Sequence, residues 1–171
     1  SQALVTVIVS LKLSWLTVPH DDSFPARLPL FWRLQELDFS LNALTGDLSW
    51  DPPANLTWLN LSYNKLKGPL RADWALPPTL STLLLNENSL TGTLPPELGL
   101  PEAMQDIELA FNPDLEGSLP ANWSLPNLKV GVFCGGNLKV GGMALAVATA
   151  SQDGQVEGYH CQKRLQPKTT Y

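Results

Sequence analysis

The 171-residue chain is short of the residue types that most chemistry needs: it has two histidines and two cysteines. Where its acidic residues concentrate, basic ones are almost missing. Between residues 34 and 120 the bases are Lys65, Lys67 and Arg71, against twelve carboxylates. Nucleic-acid binding rests on cations that neutralise phosphates, so this balance argues against it. It favours basic proteins or cations, and acidity also keeps a protein soluble.

The scarce histidines and cysteines exclude more. His20-Asp21-Asp22 is the one cluster joining a base to carboxylates. It lies in a proline-flanked loop with no nucleophile at the spacing that acid–base chemistry requires. Cys134, Cys161 and the adjacent His160 lack a fourth ligand for a metal. Serines and threonines are scattered with no nucleophile elbow. Cys134-Gly135-Gly136-Asn137 has neither the lysine nor the serine of a phosphate loop. The sequence therefore reads as a protein that is not an enzyme and holds no cofactor or metal.

Long hydrophobic runs are missing too. Residues 3–18 are mostly apolar, but the stretch is short for a membrane span and is interrupted by Lys12. Alternation of Val5, Val7 and Val9 predicts one or two buried strands, in a register the sequence does not fix. The rival reading is a processed secretory segment or part of an anchor. A chain that begins at Ser1 is expected to be processed or a fragment. With 44% hydrophobic residues it has enough apolar material for the core of one domain.

What the chain does have is a repeat. Four segments follow the frame L-x-x-L-x-L-x-x-N-x-L-x-G-x-L. The first is Leu34, Leu37, Phe39, Asn42, Leu44, Gly46, Leu48. The second is Leu56, Leu59, Leu61, Asn64, Leu66, Gly68, Leu70, and the third is Leu80, Leu83, Leu85, Asn88, Leu90, Gly92, Leu94. The fourth, Met104, Ile107, Leu109, Asn112, Leu115, Gly117, Leu119, has one extra residue after its asparagine. The asparagines stand 22, 24 and 24 residues apart, within the roughly 20–29 of leucine-rich repeats.

Each column has a mechanical reason. The L-x-L core alternates with period two, so its leucines share one face of a short strand. One repeat cannot bury that face alone, and parallel stacking buries it continuously. Stacked asparagine amides satisfy turn backbone groups that burial would otherwise leave unpaired. Glycine permits a bend that a Cβ resists. Proline in Leu94-Pro95 and Leu119-Pro120 stiffens the exit from a second short strand.

The stretches Leu90-Thr91-Gly92-Thr93-Leu94-Pro95 and Leu115-Glu116-Gly117-Ser118-Leu119-Pro120 resemble the plant-type subclass of extracellular leucine-rich repeats, with its L-x-G-x-(I/L)-P signature. The resemblance covers residues 34–120. It implies an α/β-type solenoid of mostly short parallel strands, a horseshoe of about five to six repeats with few or no long helices. It further implies a recognition role: receptor ectodomains, inhibitors of secreted hydrolases and wall-associated proteins share this frame. The cysteine-paired N-terminal cap common in such relatives has no counterpart here.

Around the regular repeats, residues 1–33 read as a degenerate N-terminal repeat and loop. Residues 121–161 read as a degenerate last repeat and cap, and 162–171 as a polar tail. Val132, Cys134 and Asn137 are expected at the L-x-L-x-x-N positions of the last repeat. Residues 143–150 are expected to form a closing strand or helix. The connections at 49–55 and 71–79 are too rich in proline for long helices. Trp50, Trp74 and Trp123 recur after the second-strand leucine, where packing over the convex edge is the favoured role and an exposed contact surface the alternative.

Compartment is read from cysteines and sequons. A disulfide between Cys134 and Cys161 would close a loop of roughly 27 residues and contribute about 3 kcal/mol in an oxidising compartment; the alternative is two free thiols. Sequons begin at Asn55, Asn60 and Asn122, where about one is expected by chance. With the resemblance, they point to the secretory pathway and a home outside the cell or on its surface.

The variable strand positions of such a horseshoe face its concave side. Glu36, Asp38, Trp58, Asn60, Tyr63, Leu84, Glu87, Asp106, Glu108 and Phe111 are the candidate ligand contacts. The acidic members suit a protein or peptide with a basic patch, and the aromatics supply the area enriched in hot spots. A sugar on Asn60 would obstruct that face. The expected function is non-catalytic protein recognition outside the cell. The alternatives are a structural subunit held in a larger complex by its solenoid ends and an inhibitor of a secreted cell-wall hydrolase.

Overall fold

A computed structural model of the chain describes residues 10–12, 33–120, 123, 126–133, 137–139, 148–150 and 156–158. Each L-x-L core becomes a three-residue strand: β2 (Glu36–Asp38), β3 (Trp58–Asn60), β5 (Thr82–Leu84) and β7 (Asp106–Glu108). They stack in parallel and in one register, Leu37 beside Leu59, Leu83 and Ile107. β1 (Ser10–Lys12) precedes them with Leu11 beside Leu37, and β9 (Val130–Val132) follows. β11 (Ala148–Ala150) runs antiparallel to β9, and β12 (Val156–Gly158) antiparallel to β11. The parallel ladder ends at that reversal.

The L-x-G segments build a second parallel sheet. Its strands are β4 (Lys67–Gly68), β6 (Ser89–Thr93), β8 (Asp114–Ser118) and β10 (Asn137–Lys139), ordered β10–β8–β6–β4. No α-helix occurs among the described residues. The convex returns are turns instead. Pro53, Pro77 and Pro101 are buried, and their carbonyls accept the N–H of Leu56, Leu80 and Met104 at 3.0 Å each. The prolines that forbid a helix thus still supply the acceptors that fix the return.

The core lies between the two sheets and the convex turns. Leu34, Leu37, Leu56, Leu59, Leu61, Leu66, Leu80, Leu85, Leu90, Met104 and Leu115 are fully buried, each side chain contributing about 2 kcal/mol. Trp74 is also buried and donates its Nε1–H to the carbonyl of Trp50 at 2.8 Å. Trp123 donates to the carbonyl of Pro95 at 3.3 Å, and both Trp50 and Trp123 pack against the core half-buried. The three indoles therefore pack on the convex edge.

A ladder of asparagines holds the turns. Asn88 Nδ2 donates to the carbonyls of Leu61 at 2.9 Å and Leu85 at 3.1 Å, and its Oδ1 accepts the N–H of Leu66 at 3.0 Å. Asn112 repeats this with Leu85, Leu109 and Leu90, and Asn64 with Phe39, Leu61 and Leu44. The residue before each asparagine is forced left-handed: Leu41, Tyr63, Glu87 and Phe111 have φ of 56–57°. The glycine column is left-handed as well. At Gly117 (φ 92°) a Cβ would also press on Thr93 Cγ2 at 3.2 Å.

The expected frame of the last repeat is off by one residue. Gly131, not Val132, pairs with Ile107 and is buried; Phe133, not Cys134, takes the second core position and is 2% exposed. Leu138 pairs with Gly117 as Leu115 does with Gly92, so Asn137 stands inside β10 opposite Glu116 and not at the ladder position. Alternation carries the cause: a slip of one residue exchanges the core face for the outward one. Phe133 fills the space that Gly131 leaves, its ring 2.7 Å from where a Cβ on Gly131 would sit.

Candidate functional site

Because successive side chains point to opposite faces, the residues either side of each core leucine project outward onto the concave face. The common register aligns them in two columns. One runs Ser10, Glu36, Trp58, Thr82, Asp106, Val130; the other runs Lys12, Asp38, Asn60, Leu84, Glu108, Val132. All the strand positions proposed from the sequence lie in these columns. Glu36 is exposed, and Asp38, Trp58, Asn60, Leu84, Asp106 and Glu108 are half-buried. Tyr63, Glu87 and Phe111 stand apart from them in the left-handed column at the turn, with Leu41.

The columns are braced from within. Asp38 Oδ1 accepts the N–H of Ser40 at 2.9 Å, and Asn60 Oδ1 accepts that of Ser62 at 3.0 Å and its hydroxyl at 2.6 Å. Asp38 therefore has a local structural part besides its charge. Ser10 Oγ donates to Glu36 Oε2 at 2.8 Å, and Thr82 Oγ1 to Asp106 Oδ2 at 3.2 Å.

Five concave residues were missed. Ser10 and Lys12 come from β1, whose frame the sequence left open. Lys12 is a base on a face expected to carry none, and its Nζ lies 5.8 Å from the centroid of the Trp58 ring. Val130 and Val132 come from the corrected frame of β9 and add apolar area beside Asp106 and Glu108. Lys129 flanks them, donating from Nζ to Gln105 Oε1 at 2.7 Å.

Of the sequons, Asn55 is exposed on the convex turn before β3, and Asn60 lies within β3 itself. Asn122, Cys134, Cys161 and the His20-Asp21-Asp22 cluster fall outside the described residues. Among the described residues, no helix is long and apolar enough to cross a membrane.

Residues 55–75 and 79–100 match the leucine rich repeat family model. No curated protein matches the sequence. Among solved structures, the BIR2 ectodomain from Arabidopsis thaliana is similar with a TM-score of 0.56 and 29% identity, over 68% of this chain and 62% of that one. A chain of the BIR3–SERK2 complex from the same plant gives a TM-score of 0.56 at 30% identity, over 72% and 65%. The plant peptide hormone receptor RGFR1 in complex with RGF2 gives 0.53 at 25% identity, over 69% of this chain and 23% of that one. The chain thus spans a little under two thirds of the first two. It carries leucine-rich repeats and shares the fold of plant receptor ectodomains.

Proposed function

We propose that this chain is a non-catalytic, extracellular recognition module of the plant type that holds a peptide or protein segment on its concave face. The observation that carries the reading is the pair of aligned columns, fixed by one register: acidic pairs on β2 and β7 with Trp58 and Leu84 between them. Two of the similar structures are complexes, one of a peptide hormone receptor with RGF2 and one of BIR3 with SERK2. Such a surface meets the general demands of a docking site, with aromatic area for hot spots and charge for orientation.

The test is selection of binders from a random displayed-peptide library on the 171-residue chain, followed by measurement on variants. Asp38→Asn keeps the acceptor for Ser40 N–H and removes only the charge; it is combined with Glu108→Lys. Selected peptides lose most of their affinity on this double variant. Peptides that bind it as well as the parent defeat the concave-face reading.

Secretion enters the proposal through Asn55, whose exposed turn leaves room for a glycan, and through a Cys134–Cys161 disulfide. Asn60 stands bare in this reading, because sugar there would rise between Asp38 and Leu84. Peptide mass spectrometry of the protein from its native source, unreduced and reduced, checks all three. Glycan on Asn60 moves binding to the later repeats, and bare asparagines with free thiols argue for an intracellular scaffold.

A further inference from the structure

The carboxylates of the concave face are not spread evenly along it. Glu36 and Asp38 stand side by side on β2, and Asp106 and Glu108 on β7. Between them β3 and β5 contribute no charge, only Trp58, Asn60, Thr82 and Leu84. The two acidic pairs are three strand spacings apart, about 14 Å. An extended peptide advances about 3.3 Å per residue and returns to the same face every second residue, so residues i and i+4 reach from one pair to the other. Residue i+2 then falls over Trp58 and Leu84.

A second observation shows that the indole beside the first pair attracts a cation. Lys12 lies in register with Asp38, and its ammonium stands over the Trp58 ring at 5.8 Å, a distance at which the ring's negative face attracts a cation. The chain's own cation thus rests on the indole, one strand from the Glu36–Asp38 pair.

We propose that the concave face takes an extended basic segment laid across the strands, with the pattern basic-x-apolar-x-basic. This rests on the concave-face reading above and adds the ligand's chemistry and spacing to it. One basic side chain sits between Glu36, Asp38 and Trp58, displacing Lys12. The apolar side chain covers Trp58 and Leu84, and the second basic one meets Asp106 and Glu108. Two linked contacts reinforce each other only when the linker spans both sites, so spacing matters more than total charge.

The experiment uses the 171-residue chain and three capped nine-residue peptides of Ser with one Leu and two Arg. The arginines are placed two, four or six residues apart, and binding is titrated at low salt. The four-residue spacing binds about tenfold tighter than either other spacing. Charge neutralisation at either pair (Glu36→Gln with Asp38→Asn, or Asp106→Asn with Glu108→Gln) removes that preference. Lys12→Met tightens binding of the matched peptide by freeing the Trp58 ring. Equal affinity for all three spacings overturns the inference, and so does no measurable binding of any. If spacing is immaterial but neutralising both pairs abolishes binding, the concave-face reading survives and the spacing does not. If binding ignores both pairs, both fall.

Discussion

The side-chain oxygen of Asn112 accepts the backbone N–H of Leu90 at 3.0 Å, one repeat back along the chain. Asn88 does the same for Leu66 and Asn64 for Leu44. Each asparagine thus completes a turn that is not its own.

This makes the ladder costly to break. Asn88→Ala leaves the buried N–H of Leu66 without its partner and takes one donor each from the carbonyls of Leu61 and Leu85, which keep Asn64 and Asn112, at an expected cost of about 1–3 kcal/mol. Asn64 is half-buried, and water can replace part of its bonds, so Asn64→Ala costs less. Urea denaturation of both variants gives the comparison; a loss below about 1 kcal/mol at Asn88 would show that the ladder does not hold the turns.

The left-handed column ranks substitutions in the opposite way to a strand. At Glu87, with φ of 56°, a β-branched side chain is strained and glycine is not. Glu87→Val is expected to destabilise by more than about 1 kcal/mol, while Glu87→Gly is neutral or stabilising by up to about 1 kcal/mol. Thermal melts decide it, and a valine variant as stable as the glycine one counts against the backbone argument.

The convex tryptophans differ in burial, and their truncations should differ with it. Trp74 is 3% exposed, so Trp74→Ala removes a packed indole for about 3–5 kcal/mol. Trp74→Phe keeps most of the packing and loses the bond to the Trp50 carbonyl, for about 1–2 kcal/mol. Trp50→Ala and Trp123→Ala cost less than Trp74→Ala. Denaturant midpoints of the four variants test the order, and equal losses would refute it.

Arg71 pairs with Asp51 at 2.9 Å and Asp73 at 3.2 Å, but those carboxylates are 54% and 87% exposed. Solvent screening limits such pairs, so Arg71→Ala is expected to cost under about 1 kcal/mol, and less at high salt. A loss well above that, unchanged by salt, would assign the side chain's value to packing and to its bond with the Ser49 carbonyl.

The regular repeats were legible because three independent columns agreed. Leucine, asparagine and glycine each mark a position, and Leu37, Leu59, Leu83 and Ile107 fall in register as read. The last repeat was not, because its first core position is Gly131, which carries no hydrophobic signal. The neighbouring Val132 and Cys134 offered a pattern with the right spacing on the wrong face. β1 was obscured differently: the alternation of Val5, Val7 and Val9 left the register open, and only pairing with β2 places Leu11 beside Leu37. The concave acids were readable from the frame. The Lys12–Trp58 contact was not, since it joins residues 46 positions apart across two strand spacings.

The extra residue in the fourth repeat changes who depends on whom. In the earlier turns the N–H of Leu44, Leu66 and Leu90 waits for an asparagine from the following repeat. Leu115 does not wait, because its N–H is bonded at 3.1 Å to the carbonyl of Asn112 in the same loop. The fourth turn is therefore the natural splice point of the array. Units grafted between earlier turns must bring an asparagine with them, whereas whatever follows Leu115 is released from that grammar and free to diverge.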